Sequence, residues 1–190
     1  MCVNRMNTGA GFDLATVANV TDANFTDVQA GLLGSIQNVT VTLQNKQNRS
    51  EANNNINMTA QIGDRIANLQ NLSNQVNSTT NATELQGVVL TFAKTQLINS
   101  IGMKITKLQQ IENNMSANDT NMAMLDSKIV NLIALEGNIN NTTSIGGLMA
   151  TTSSFHPMLG MGDCPMMYQM MNKIMMDNST MNNSMIIHVK

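Results

Sequence analysis

Four stretches of this chain place apolar side chains three and four residues apart, and this spacing constrains the fold more than any other feature. An α-helix turns once every 3.6 residues, so side chains at such intervals share one face of a helix. The pattern therefore predicts four amphipathic helices and an all-α fold. The four apolar stripes are Leu32, Ile36, Val39 and Leu43; Ile62, Ile66, Leu69, Ser73 and Val76; Leu85, Val89, Phe92, Ile101, Ile105 and Leu108; and Met122, Leu125, Ile129, Leu132 and Ile139.

Polar breaks rich in asparagine separate the stripes at residues 45–59, 77–84 and 114–120, and a further polar segment at 137–147 ends the fourth stripe. Short connections make successive helices antiparallel neighbours. The sequence therefore predicts an up-down four-helix bundle or paired, coiled-coil-like helical hairpins. We assign residues 1–23 to an irregular N-terminal arm, 24–145 to the helices, and 146–190 to a Met-rich C-terminal segment that is partly helical.

Charged residues are scarce, at 12% of the chain, and the net charge is -2. A typical soluble domain has about 25% charged residues, so uncharged polar groups must supply much of this surface. Nucleic-acid binding needs a basic face, which this composition does not provide, and we expect no nucleic-acid partner. No stretch approaches the roughly 18 apolar residues of a membrane-spanning helix, so we also expect no membrane span.

Asparagine supplies much of that polar character, and it recurs in the N-glycosylation sequon Asn-x-Ser/Thr with x other than proline. The sequon occurs 14 times, against about 5 expected from random placement of the same residues. Only Asn38 and Asn71 fall inside the predicted helices, off the apolar stripes, and the other twelve fall in predicted loops or tails. The sequon asparagines are Asn19, Asn24, Asn38, Asn48, Asn57, Asn71, Asn77, Asn81, Asn114, Asn118, Asn140, Asn141, Asn178 and Asn182.

This excess predicts a glycoprotein located outside the cell or on its surface. An N-linked sugar is a bulky, soluble and uncharged cover, which offsets a shortage of surface charge. The alternative is that asparagine, serine and threonine cluster in loops, so the sequons stay unused. The first 14 residues lack the apolar core of a secretory signal. We expect that a signal has been removed, that the chain is a fragment, or that the protein is intracellular.

Methionine changes the character of the chain after Thr152, since ten of the 18 methionines lie between residues 158 and 185. A neutral, polarisable thioether prefers soft copper(I), with Cys or His completing the ligand set. Methionine also fills irregular cores and adaptable surfaces, so packing on the helices or on a partner is the alternative, and sacrificial oxidation is a third. The candidate metal ligands are His156, Met158, Met161, Cys164, Met166, Met167, Met170 and Met171.

Cys2 and Cys164 are the only cysteines, so the chain can form at most one internal disulfide. A bridge between them would tie the N-terminal arm to the Met-rich segment. Pairing between chains and two free thiols remain alternatives.

Catalytic patterns are missing from the sequence. It contains no phosphate-binding glycine loop, no CxxC pair and no HExxH motif, and His156 and His188 are its only histidines. We therefore predict a non-enzymatic structural, adhesion or assembly protein without a resident cofactor. It would self-associate or bind another surface protein through its helical apolar stripes. The alternatives are an extracytoplasmic copper-binding or metal-buffering protein that uses the Met-rich segment, and an intracellular coiled-coil adaptor.

Overall fold

The computed structural model describes residues 12–114 and 122–154, and these form six α-helices without a β-strand. The all-α prediction is confirmed. The helices are α1 (Leu14–Ala18), α2 (Phe25–Ala52), α3 (Ile56–Asn77), α4 (Ala82–Asn113), α5 (Met122–Asn140) and α6 (Ile145–Ser154).

Two elements differ from the sequence prediction. Helix α1 lies within residues 1–23, where we expected an irregular arm, and its Leu14 and Val17 are buried. The predicted break at 45–59 shrinks to residues 53–55, because α2 continues to Ala52 and α3 begins at Ile56. The assignment of residues 24–145 and 146–190 to separate units stays a prediction, and α6 crosses that boundary.

Three asparagines form the turn between α2 and α3. Asn54 has a φ of 54°, in the left-handed region that asparagine tolerates better than most residues. Asn55 caps α3, since its side-chain oxygen accepts a hydrogen bond from the Met58 N–H at 3.1 Å. The Ser50 hydroxyl donates to the Asn55 carbonyl at 3.1 Å and joins the two sides of the turn.

The helices pack as two hairpins. Contacts are most extensive between α2 and α3 and between α4 and α5, and they are fewer between α3 and α4. A closed four-helix bundle would also pack α5 along α2, but those helices share at most marginal contact in the described residues. Paired hairpins therefore describe the packing, and the up-down bundle topology stays a prediction.

Both hairpins meet at one end of the molecule, which we call the base. It contains the start of α2 and α4, the end of α3 and α5, and helices α1 and α6, which contact each other and α4. The side chains with the least exposure concentrate there, and Leu14, Val76, Leu85, Val89, Ile139 and Leu148 are each fully buried. The base is therefore the most deeply buried part of the core.

Long polar side chains from neighbouring helices cap the helix ends at the base. The Gln29 amide of α2 donates to the Val76 and Thr79 carbonyls at 2.8 and 3.0 Å, and so provides hydrogen-bond donors for carbonyl groups at the end of α3. The Gln86 amide of α4 likewise donates to carbonyls at the end of α1, including that of Ala18 at 3.2 Å. No basic residue lies in the last turn of α1 or α3, and these bonds add to the local caps, in which the N–H groups of Asn19 and Ser78 donate to carbonyls of the last turn.

Lys94 extends the same pattern to α5. Its Nζ donates to the carbonyls of Asn140 and Thr142 at 2.8 and 2.9 Å. A cation at this position also complements the partial negative charge of a helix C-terminus. The contact further shows that α4 and α5 run antiparallel, since the first half of α4 meets the end of α5.

No helix among residues 12–114 and 122–154 combines the length and apolarity that crossing a membrane would require.

Candidate functional site

The sequon asparagines within the described residues lie on the outer surface. Ten of these eleven side chains are exposed, and Asn81 is half-buried. The described sequon asparagines are Asn19, Asn24, Asn38, Asn48, Asn57, Asn71, Asn77, Asn81, Asn114, Asn140 and Asn141. A sugar attached to one of these exposed side chains would therefore extend into solvent rather than into the core. Asn118, Asn178 and Asn182 lie outside the described residues.

More sequons lie in helices than the sequence indicated. Asn38 and Asn71 are helical as expected and exposed, but Asn48 and Asn57 also lie within α2 and α3. Asn77 and Asn140 are the final residues of α3 and α5. The prediction of loops at these four positions was wrong, because the asparagine-rich segments extend the helices along their solvent-facing sides.

Other sequon asparagines stabilise helix ends. The Asn81 side-chain oxygen accepts from the Glu84 N–H at 2.9 Å and caps α4. The Asn24 oxygen accepts from the N–H and hydroxyl of Thr21 at 2.7 and 3.1 Å. A sugar attaches to the amide nitrogen and leaves this oxygen in place. Glycosylation is therefore compatible with the cap at Asn81 and with the hydrogen bonds of Asn24 to Thr21.

The hydroxyl residues of the five sequons whose asparagine lies in α2 or α3 follow the opposite trend, since three of them are buried and two are half-buried. Thr40 and Ser50 are 6% and 4% exposed, and Thr79 is 8% exposed. The Thr40 hydroxyl donates to the Ile36 carbonyl at 2.9 Å, and the Thr79 hydroxyl donates to the Val76 carbonyl at 2.7 Å. Side chains two positions apart in a helix point about 200° away from each other around its axis. When the asparagine of a helical sequon points outward, the hydroxyl two positions later therefore points inward. The inward position of these hydroxyls was not predicted from the sequence, although the helical period indicates it for sequons inside helices.

Sequons are absent from the interior of the second hairpin. No sequon occurs between Thr83 and Asn113 in α4. In α5 the one sequon asparagine is Asn140, the final residue of the helix. Five of the seven large apolar residues most exposed in the described part belong to these two helices, namely Met103, Ile111, Met124, Val130 and Ile133. The surface thus divides into a hairpin rich in sequons, α2 and α3, and a hairpin that is bare and more apolar.

Helix α5 carries a second apolar stripe on its outer side, opposite the face that packs in the core. Val130 and Ile133 are 62% and 52% exposed, and Ala123, Ala134 and Gly137 are exposed beside them. Residues 123, 130 and 137 are seven apart, which is the repeat of a coiled-coil seam. We call these five residues the α5 outer face. Only the inner stripe of α5 was predicted from the sequence.

Like charges meet where α4 and α5 pack together. A side-chain hydrogen bond with Asp126 raises the pKa of Glu112, and loss of hydration and repulsion by the Asp126 charge add to the effect. Burial lowers the pKa of Lys104, and the nearby charge of Lys128 lowers it further. At the base, by contrast, the Thr80 N–H and hydroxyl lower the pKa of Glu84, because both donate to its carboxylate.

A groove of about 910 Å³ lies between the α2/α3 hairpin and α4. Its charged lining is mixed, with Lys46, Arg49 and Arg65 alongside Asp64 and Glu136. Burial lowers the pKa of the Arg65 guanidinium. A mixed lining of this kind does not select one class of charged ligand, so the groove does not identify a substrate.

The predicted metal and disulfide residues cannot be placed. His156, Met158, Met161, Cys164, Met166, Met167, Met170, Met171 and Cys2 all lie outside the described residues. Within the described ranges no three His, Cys, Asp or Glu side chains gather in a metal-binding arrangement. Copper binding by the Met-rich segment and the Cys2–Cys164 bridge both stay predictions.

No protein-family model, curated protein or solved structure matches this chain significantly.

Proposed function

We propose that this protein is a non-enzymatic, helical glycoprotein of the cell surface or extracellular space, with a structural or assembly role. Sugars on the sequon asparagines cover the α2/α3 hairpin and the helix ends. The bare α4/α5 hairpin makes the contacts with other molecules.

The observation that carries this proposal is the position of the sequon asparagines. Of the eleven in the described residues, ten are exposed and none is buried. A chain with only 12% charged residues needs another source of solubility, and sugars at these positions would provide it. A fold that buried these side chains would have been incompatible with the proposal.

The assembly role rests on the α5 outer face. Exposed Val130 and Ile133 lie on the same side of α5 as the small residues Ala134 and Gly137, and small residues allow another helix to approach closely. The occupant that we propose is α5 of a second copy, because its heptad-spaced residues repeat the same period. The interior of α5 has no sequon, so no sugar would be attached between Met122 and Ile139.

The glycan part is tested by peptide mapping of material from the native source. We expect sugar-bearing peptides at several exposed sequon asparagines, including Asn38 and Asn71. Unmodified peptides at all eleven described positions would refute this part of the proposal.

The assembly part is tested by sedimentation of the full chain over a range of concentrations. We expect a dimer, with a dissociation constant raised at least about tenfold by the double substitution Val130→Gln and Ile133→Gln, since core interface residues carry most of the binding energy. Val41→Gln, which changes an exposed apolar residue of α2, is the control and should leave the constant unchanged. A wild-type chain that stays monomeric throughout would refute self-association.

A further inference from the structure

We propose that the sequons fall into two classes that differ in when they can be modified. Those inside α2 and α3 accept a sugar only before these helices form, whereas Asn141 accepts one in the folded protein. This inference rests on the proposed glycosylation and adds its order relative to folding.

The chemistry of the transfer sets the geometric requirement. The asparagine side-chain nitrogen forms a bond to the anomeric carbon of a lipid-pyrophosphate-linked oligosaccharide, and the nitrogen loses one proton. The bond from that carbon to the phosphate oxygen breaks, and the lipid pyrophosphate leaves with the electron pair. The transferring enzyme reads the hydroxyl two residues on, so it must reach the asparagine and that hydroxyl from the same side.

Helical sequons do not meet this requirement. Side chains two positions apart in a helix diverge by about 200°, so one enzyme surface cannot contact both. Asn38 is exposed, but Thr40 is buried and its hydroxyl is bonded to the Ile36 carbonyl. Asn48 is paired in the same way with buried Ser50, whose hydroxyl donates to the Asn55 carbonyl.

The end of α3 adds a third instance. Asn77 is exposed, while the Thr79 hydroxyl donates to the Val76 carbonyl at 2.7 Å and accepts from the Gln29 amide at 3.1 Å. Releasing Thr79 would therefore break contacts that join α2 to α3. Access to this sequon requires at least local unfolding of the base.

Asn141 has the opposite environment. It lies in the connection between α5 and α6, after the last residue of α5, and both Asn141 and Thr143 are exposed. Thr143 follows the helix end, so the sequon is not held in a helical arrangement. An enzyme can reach its amide and its hydroxyl without opening the core.

Early modification would not obstruct folding. Asn38, Asn48 and Asn77 are exposed in the folded protein, so a sugar attached before the helices form stays on the outside. The buried hydroxyls carry no sugar and remain free to make their hydrogen bonds. A sugar found on a helical sequon of the folded protein would therefore have been attached before the helix formed.

The test uses full-length chain produced in bacteria that do not glycosylate it. A purified single-subunit oligosaccharyltransferase and its lipid-linked donor are added either to the folded chain or to its tryptic peptides. Cleavage after lysine and arginine leaves residues 6–46, 66–94 and 129–173 intact, so the sequons of Asn38, Asn77 and Asn141 survive. Mass spectrometry gives the sugar occupancy of each.

We expect occupancy at Asn38 and Asn77 to be at least about tenfold lower in the folded chain than in the peptides, because modification there waits for helix opening. Occupancy at Asn141 should agree within about twofold between the two forms. Thr143→Val should abolish modification at Asn141, and Thr143→Ser should retain it.

Equal occupancy of Asn38 and Asn77 in folded chain and peptides would overturn the inference, and so would a folded chain that is unmodified at Asn141. These outcomes are independent of the proposed function, because the sugar content of native material is measured separately. A native protein without sugar would refute the function while leaving the accessibility difference measurable.

Discussion

At the residue scale, Asn54 has the least common backbone conformation of the described chain, with a φ of 54°. Asn54→Val should destabilise the protein by about 1–2 kcal/mol, because a β-branched side chain clashes in the left-handed region. Asn54→Gly should be neutral or stabilising, since glycine adopts positive φ freely. Urea unfolding followed by circular dichroism measures both.

The matched control for this turn is Asn53, whose φ of -91° is ordinary. Asn53→Val should cost clearly less than Asn54→Val. Equal losses at the two positions would contradict the assignment of strain to Asn54 and would indicate that the side-chain amides stabilise the turn.

Asn81 combines a helix cap with a sequon, and substitutions can separate the two roles. Asn81→Ala should cost about 1 kcal/mol by removing the bond from the Glu84 N–H. Asn81→Asp keeps an oxygen acceptor at the helix start while removing the sugar acceptor, so unglycosylated protein should keep its stability. Thermal unfolding of bacterially produced chains makes the comparison. A loss with Asn81→Asp as large as that with Asn81→Ala would exclude the capping role.

At the element scale, the contact between α4 and α5 should weaken as pH rises. The pKa of Glu112 is raised by its hydrogen bond with Asp126, so the folded state holds a proton more tightly than the unfolded chain. This contribution is fully present below the ordinary glutamate pKa and is lost as pH rises through the raised value. Glu112→Gln should therefore raise the melting temperature at pH 7 and leave it unchanged near about pH 4.

Glu51→Gln is the matched control for this titration, because Glu51 is an exposed carboxylate at the end of α2. Its melting temperature should not show the gain at pH 7. If Glu112→Gln shifts the melting temperature equally at both pH values, the effect comes from side-chain packing and not from carboxylate repulsion.

The helices differ in how far the sequence predicted them. The inner stripe of α5 was predicted nearly completely, since Leu125, Ile129, Leu132 and Ile139 are all buried. The end of α2 was not, because local asparagine density favours turns while pairing with α3 keeps the segment helical. In α3 the stripe assigned Ser73, whereas the neighbouring Leu72 is buried. A strict heptad therefore misplaced the core by one residue in that turn.

The functional surface shows the same division between local and long-range information. Exposure of the sequon asparagines was predictable, because uncharged amides are rarely buried without partners. Burial of Thr40 and Thr79 depends on where each helix begins and what it packs against. Helix α1 was missed for the same reason: five residues are too few to form a stable helix alone, and contacts with α4 and α6 stabilise it.

At the scale of the whole molecule, stability should be concentrated at the base. Leu148 of α6 is fully buried in the main core, where α1, α4, α5 and α6 meet. Leu125, near the start of α5, is 8% exposed and lies outside that cluster of buried residues. A cavity at the base should therefore weaken every element, and one near the start of α5 should act mainly on the α4/α5 hairpin.

Leu148→Ala and Leu125→Ala test this gradient with the same chemical change. Leu148→Ala should lower the free energy of unfolding by about 2–5 kcal/mol, because the tightly packed neighbours cannot fill the cavity that the substitution leaves. Leu125→Ala should cost less and should mainly accelerate amide hydrogen exchange in the first turns of α5 and the facing end of α4. Native-state hydrogen exchange read by mass spectrometry resolves both effects. If both variants accelerate amide hydrogen exchange uniformly along the chain, the hairpins and the base unfold as a single cooperative unit. The sparse contact between α3 and α4 would then couple the two hairpins more strongly than its extent suggests.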